Sequence, residues 1–95
     1  RLSIETNSRG LGFLLAGLRE LGIEPVPSSA NFLMVVRESE AEVAFLFHEL
    51  LKRGVIIRPL SAFGLPHCMR ISVGTEEENA FFIGALKQVL ALARV

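Results

Sequence analysis

The chain has 95 residues, is 51% hydrophobic, and sets ten Lys+Arg against ten Asp+Glu for a net charge of zero. That length allows one domain and argues against two, and apolar content this high with charge at 21% excludes a disordered chain. A nucleic-acid partner draws on a basic excess that is missing here, and apolar runs that stop after about six residues are too short for a transmembrane span.

Leu11, Leu14, Leu15, Leu18 and Leu21 follow the spacing of one apolar helical face and predict a helix over 2–21. Gly22 stands where a C-terminal cap belongs. Gly10 and Gly12 lie inside the pattern and each cost up to about 1 kcal/mol of helix stability. Residues 23–27 read as extended and turn-like, because Pro25 and Pro27 push the preceding residue out of the helical region. Residues 30–36 (Ala-Asn-Phe-Leu-Met-Val-Val) predict a strand that is apolar on both faces, as in the centre of a sheet.

Ser39-Glu40-Ala41-Glu42 has the form of a capping box: the Ser39 hydroxyl accepts from the Glu42 N–H, and Glu42 reaches back to the Ser39 N–H. The helix runs to Arg53, with Val43, Leu46, Phe47, Leu50 and Leu51 on one face, and Gly54 closes it. Residues 55–58 predict a second strand stopped by Pro59. Residues 60–67 form a loop carrying Gly64 and Pro66, and residues 68–73 form a third strand ended by Gly74. Thr75 to Glu78 is a second capping box, with three acids set against the positive end of the helix dipole. The last helix runs to about Arg94, with Phe82, Ile83, Leu86, Val89, Leu90 and Ala93 inward.

A helical crossover makes the first two strands parallel to each other, and the short loop brings the third back antiparallel between them. The expected fold is an α+β two-layer sandwich: a small three-stranded sheet of mixed or antiparallel pairing, order 1-3-2, with helices on one face.

Two arginines stand out. In the third strand Met69 and Ile71 share one face while Arg70 and Ser72 share the other; Arg58 ends the second strand. An arginine inside a mostly apolar strand is costly to bury unpaired, and its planar fork suits a carboxylate or phosphate, so both are candidate anion-binding residues beside the reading of ordinary solvated or paired arginines. Elsewhere the chemistry is incomplete. His48 and His67 stand alone, without further ligands at metal spacing. Cys68, next to His67, points to the opposite face of its strand and reads as a structural thiol. Ser61 and Ser72 lack a nucleophile-elbow context. Lys52 and Lys87 complement helix dipoles, and Glu76, Glu77 and Glu78 serve a helix start. The glycines form no phosphate-binding loop. Residue by residue, the chain holds no complete catalytic, cofactor or metal site.

A single cysteine allows no internal disulfide and fits a reducing, cytoplasmic setting, and no secretory signal is visible. The chain opens on Arg1 rather than Met, with no N-cap before Leu2, and reads as a piece of a longer protein. Its mean hydropathy of +0.46 exceeds what a lone globule of this size needs. If the chain is a domain whose first helix and one sheet edge rest on a missing larger domain, that surplus becomes an expected exposed apolar patch above about 400 Å² near the first helix.

Several segments acquire meaning in order: Pro27-Ser28-Ser29-Ala30-Asn31-Phe32-Leu33, Gly54-Val55-Ile56-Ile57-Arg58-Pro59, Gly64-Leu65-Pro66, and Met69-Arg70-Ile71-Ser72-Val73-Gly74-Thr75 with Glu76 to Asn79. Together they resemble the C-terminal small domain of the histidinol-phosphate aminotransferases, pyridoxal-phosphate enzymes of fold type I, and the resemblance covers residues 1–95. It implies a homodimeric parent enzyme of histidine biosynthesis that turns glutamate and imidazole acetol phosphate into 2-oxoglutarate and histidinol phosphate. It implies that Arg70 binds the substrate α-carboxylate or phosphate, and that Arg58 helps to hold the phosphate. The Schiff-base lysine, the aspartate for the cofactor ring nitrogen and the phosphate cup would lie in a large domain outside this chain. The chain alone is therefore expected neither to bind pyridoxal phosphate nor to turn over substrate. Asn31 and Phe32 match the segment facing the site, with no assigned role. Threonine-phosphate decarboxylases and aromatic aminotransferases resemble the same domain, and a free-standing α+β ligand-binding or regulatory module is the competing class.

Overall fold

The computed structural model describes residues 4–27, 29 and 31–93. In chain order the elements are α1 (Ile4–Glu20), β1 (Val26–Pro27), β2 (Phe32–Val36), α2 (Glu40–Lys52), β3 (Arg58–Pro59), a single 3-10 turn (Ser61–Phe63), β4 (Cys68–Ser72) and α3 (Glu76–Ala93). The sheet order is β1-β2-β4-β3, and every neighbouring pair is antiparallel. The expected 1-3-2 order is present as β2-β4-β3. The segment expected to be only turn-like adds β1 as a fourth, two-residue strand at the far edge, where proline is tolerated because an edge needs fewer N–H donors.

Both helix–strand junctions after α1 and α2 end in the same way. Gly22 and Gly54 adopt φ +83, a conformation that favours glycine. The Gly22 N–H donates to Arg19 O and Ile23 N–H to Leu18 O; Gly54 N–H donates to Leu51 O and Val55 N–H to Leu50 O. This is the Schellman pattern, with the apolar residue after each glycine buried against the helix end. It corrects the second predicted strand. The Val55 N–H is spent on the helix cap, so pairing with β4 begins only at Arg58 rather than at residue 55.

The two capping boxes differ. At α3, Glu78 N–H donates to the Thr75 hydroxyl (3.1 Å) and Thr75 N–H donates to Glu78 Oε1 (2.8 Å), the full reciprocal pair. At α2, Glu42 N–H donates to Ser39 Oγ (3.1 Å), but the Glu42 carboxylate takes the Glu38 N–H and the Arg37 guanidinium instead of the Ser39 N–H.

The core lies between the helices and one face of the sheet. Leu33, Val35, Met69 and Ile71 from the central strands meet Leu14 and Leu18 of α1, Val43, Leu46 and Leu50 of α2, and Phe82, Leu86 and Val89 of α3. Leu51 and Ala93, expected inward, are exposed because they fall beyond the edge of the buried stripe of their helices. Residues 2, 3, 30 and 94 of the predicted elements lie outside the described residues.

Residues 30–36 do not behave as a strand buried on both faces. Leu33 and Val35 are fully buried, whereas Phe32 and Met34 are half-exposed and Val36 is exposed. All three helices cover one face of the sheet, and the other face is open. The accessible surface of 6003 Å² exceeds the roughly 5,400 Å² expected of a folded monomer of this mass.

Candidate functional site on the open sheet face

The register of the sheet decides what the open face presents. Val26 pairs with Met34, Met34 with Arg70, and Arg70 with Arg58. Side chains at paired positions point to the same side, so these four residues form one row across the sheet. Phe32 and Ser72 form the next rung. Both arginines named from the sequence are thus brought together, side by side on the uncovered face. Arg70 is half-buried, Arg58 is exposed, and together with Ile56, Ile57, Pro59 and Ser72 they line a groove of about 390 Å³.

Like charges directly opposite one another on paired strands repel. Among the described residues, neither Arg58 nor Arg70 has an ion pair or a side-chain hydrogen bond. The four ion pairs of the described residues are Arg19–Glu24, Arg37–Glu42, Lys52–Glu49 and Arg53–Glu49, all on the helical side or in the turns. Two arginines at paired positions without a carboxylate partner make a positive spot suited to a bidentate anion, since each fork offers parallel N–H donors to carboxylate or phosphate oxygens. One further group touches this pair. The Arg70 guanidinium carbon lies 4.8 Å from the Phe32 ring centroid, a cation–π contact. Sequence reasoning left Phe32 without a role; the signal that could have found it is the register, which makes Phe32 the diagonal neighbour of Arg70.

The end of β4 is held by a buried joint. Asn79 is 3% exposed, and its side-chain amide spans both polar groups of Gly74: Gly74 N–H donates to Oδ1 (2.9 Å) and Nδ2 donates to Gly74 O (3.2 Å). Gly10 of α1 lies so close that a Cβ there would meet Asn79 Nδ2 at 2.8 Å and Val73 Cγ1 at 2.9 Å. The helix glycine that weakens α1 locally is what lets α1 reach the strand end that carries Ser72 and Arg70.

The other sequence candidates stay apart from this site. His48 and His67 are exposed, and Cys68 is buried at 7% exposure. Among the described residues no group of three His, Cys, Asp or Glu could hold a metal ion, and no helix is long and apolar enough to cross a membrane. Lys52 is bonded to Glu49 on α2, and Lys87 is exposed on α3. Glu49 accepts from Lys52 and Arg53, which hold its carboxyl below the usual value of 4.5. Among the described residues the most exposed large apolar side chains are Ile56 (78%), Phe63 (65%), Phe81 (58%) and Val36 (52%), and others, Phe13 of α1 among them, are spread over all three helices. Ile56 and Phe81 line a second hollow of about 590 Å³ beside Gly74, and the exposed apolar side chains lie on β2, α2, α3 and the loops as well as on α1.

Known proteins share this architecture. The family model for aminotransferase class I and II matches residues 7–86. The chain is 43% identical over 88 residues to histidinol-phosphate aminotransferase 1 of Dechloromonas aromatica, covering 93% of this chain and 24% of that protein. It is 47% identical over 91 residues to histidinol-phosphate aminotransferase 1 of Thiobacillus denitrificans, covering 96% and 23%. The crystal structure of a putative aminotransferase from Burkholderia pseudomallei superposes with a TM-score of 0.77 at 30% identity, over 88% of this chain and 25% of that one. The histidinol-phosphate aminotransferase of Clostridium acetobutylicum superposes with a TM-score of 0.73 at 27% identity, over 88% and 26%. The chain thus spans about a quarter of the length of the curated relatives it matches.

Proposed function

The chain belongs to the class I and II aminotransferases, and from that premise we propose that it is the C-terminal small domain of a pyridoxal-phosphate-dependent transaminase, supplying Arg70 and Arg58 to the anionic group of the substrate. The observation that carries this reading is the juxtaposition of two arginines on the open face of the sheet, in register and without a carboxylate partner among the described residues. A bound carboxylate or phosphate would turn a repulsive pair into a clamp.

The chain's own residues do not fit the cofactor. Its two lysines, Lys52 and Lys87, sit on helices on the far side of the sheet from the arginines, and it contains no aspartate to face a ring nitrogen. Holding the cofactor falls to the rest of the polypeptide. This domain's part is to bind and orient the substrate anion, and the isolated chain is inactive.

The names of the relatives, histidinol-phosphate aminotransferases, support histidinol phosphate as the phosphorylated partner; glutamate, 2-oxoglutarate and imidazole acetol phosphate complete the proposed reaction as the motif resemblance implies them. In the intact enzyme, Arg70→Ala is expected to weaken both glutamate and the phosphorylated substrate, by about 2–5 kcal/mol in kcat/KM if the pair is desolvated. Arg58→Ala is expected to weaken the phosphorylated substrate more than glutamate. A kinetic panel with glutamate and imidazole acetol phosphate tests both, and equal, small losses from the two variants reject the assignment.

A further inference from the structure

The contact between Phe32 and Arg70 has a role beyond packing. We propose that Phe32 is the positioning residue of the anion site, holding the Arg70 guanidinium off Arg58 while leaving its donors for the ligand. This rests on reading Arg70 as the anion-binding group.

Arg70 stands directly between Met34 on one side and Arg58 on the other, whereas Phe32 is opposite Ser72, one rung along. Diagonal neighbours on paired strands are within reach of aromatic and long side chains. By lying over the Phe32 ring, Arg70 leans along the strand instead of straight across toward Arg58. The ring thus draws Arg70 toward β2 and eases the repulsion between two cations that the register places on one face.

The ring also leaves the hydrogen-bonding capacity of Arg70 intact. A guanidinium has five N–H donors, and a carboxylate partner would occupy two of them. An aromatic ring attracts the cation through its quadrupole and competes for none of the donors with a ligand oxygen. Among the described residues, no hydrogen bond or ion pair occupies the Arg70 fork.

The ring is also held by its strand. Phe32 begins β2, which is paired on both sides, and the ladder continues past it through Val73 N–H donating to Asn31 O (2.8 Å). The ring is therefore mounted on a backbone held in register with β4 on both sides of Phe32. Ordering a long side chain before the ligand arrives lowers the entropy lost on binding.

The test uses the intact transaminase that carries this chain. Phe32→Leu is expected to raise KM for the anionic substrates about three- to ten-fold with kcat within about two-fold, and Phe32→Tyr, which restores a ring, stays within about two-fold of the parent. In an Arg70→Ala background, Phe32→Leu is expected to change KM by less than about two-fold, because the interaction it removes is already gone. Phe32→Met serves as the ringless variant if Phe32→Leu does not fold. An equal rise in KM in both backgrounds, or a tyrosine variant as impaired as the leucine one, overturns the proposal. If Arg70→Ala alone leaves KM unchanged, the anion reading itself falls. If Arg70→Ala raises KM and Phe32→Leu does not, the role of Phe32 falls while that reading stands.

Discussion

Replacing Gly10 by alanine is expected to destabilise this protein, whereas the same change two residues later, at Gly12, stabilises it. Both glycines lie inside α1, so both substitutions gain about 0.8–1.0 kcal/mol of helix propensity. At Gly12 nothing lies within 4 Å of the new Cβ, and that gain is the whole effect. At Gly10 the Cβ meets Asn79 Nδ2 at 2.8 Å and Val73 Cγ1 at 2.9 Å. Asn79 has nowhere to retreat: it is buried, and its amide is bonded to Gly74 through both ends. Overpacking a tight site costs about 1–3 kcal/mol, and each hydrogen bond given up adds about 0.5–1.5 kcal/mol. The net loss is about 1–2 kcal/mol, and the two variants should differ by about 2–3 kcal/mol. Urea unfolding followed by far-UV circular dichroism resolves this as a midpoint separation of roughly 1 M or more, taking a slope of about 1–2 kcal/mol/M. A Gly10→Ala protein as stable as Gly12→Ala would show that α1 does not press on the Asn79–Gly74 joint, and the account of how β4 is anchored would be wrong.

Two further outcomes are expected. Thr75→Ala removes the acceptor for the Glu78 N–H at the start of α3 and should cost about 0.5–2 kcal/mol in the same unfolding assay, with Thr75→Ser retaining most of the stability; a neutral alanine variant would contradict the capping box. Glu49 is held ionised below its usual range by Lys52 first and Arg53 second. Its contribution is present above the unfolded value of 4.5 and is lost as pH falls through the lower folded value. Glu49→Gln should therefore flatten the fall in urea midpoint as pH drops below the unfolded value of 4.5; an unchanged acid limb would refute this.

Much of the fold was legible because its signals are local. Leucine spacing, the two glycines after α1 and α2, and the boxes at Ser39 and Thr75 all act within a few residues of themselves. The alternation at Met69-Arg70-Ile71-Ser72 likewise placed Arg70 and Ser72 on a face apart from Met69 and Ile71. What failed depended on hydrogen bonds made elsewhere. Residues 55–57 have strand-like composition, but the Val55 N–H belongs to the α2 cap, so the second strand shrinks to Arg58–Pro59. Residues 26–27 look like a turn and pair with β2 because Leu33 and Met34 lie alongside.

The arginines show the same division most clearly. Strand periodicity is a property of one backbone, and it sufficed to set Arg70 apart from its buried neighbours. An apolar run such as Phe32–Val36 carries no mark of which face helices will cover, and nothing in the chain order says which residues of three separate strands will share a rung. Packing the helices against one side of the sheet opened the other, and the register then set Arg58 beside Arg70 and the Phe32 ring beneath it. Those contacts join residues 12 to 38 positions apart, and they exist only where long-range pairing satisfies the backbone of all the strands at once.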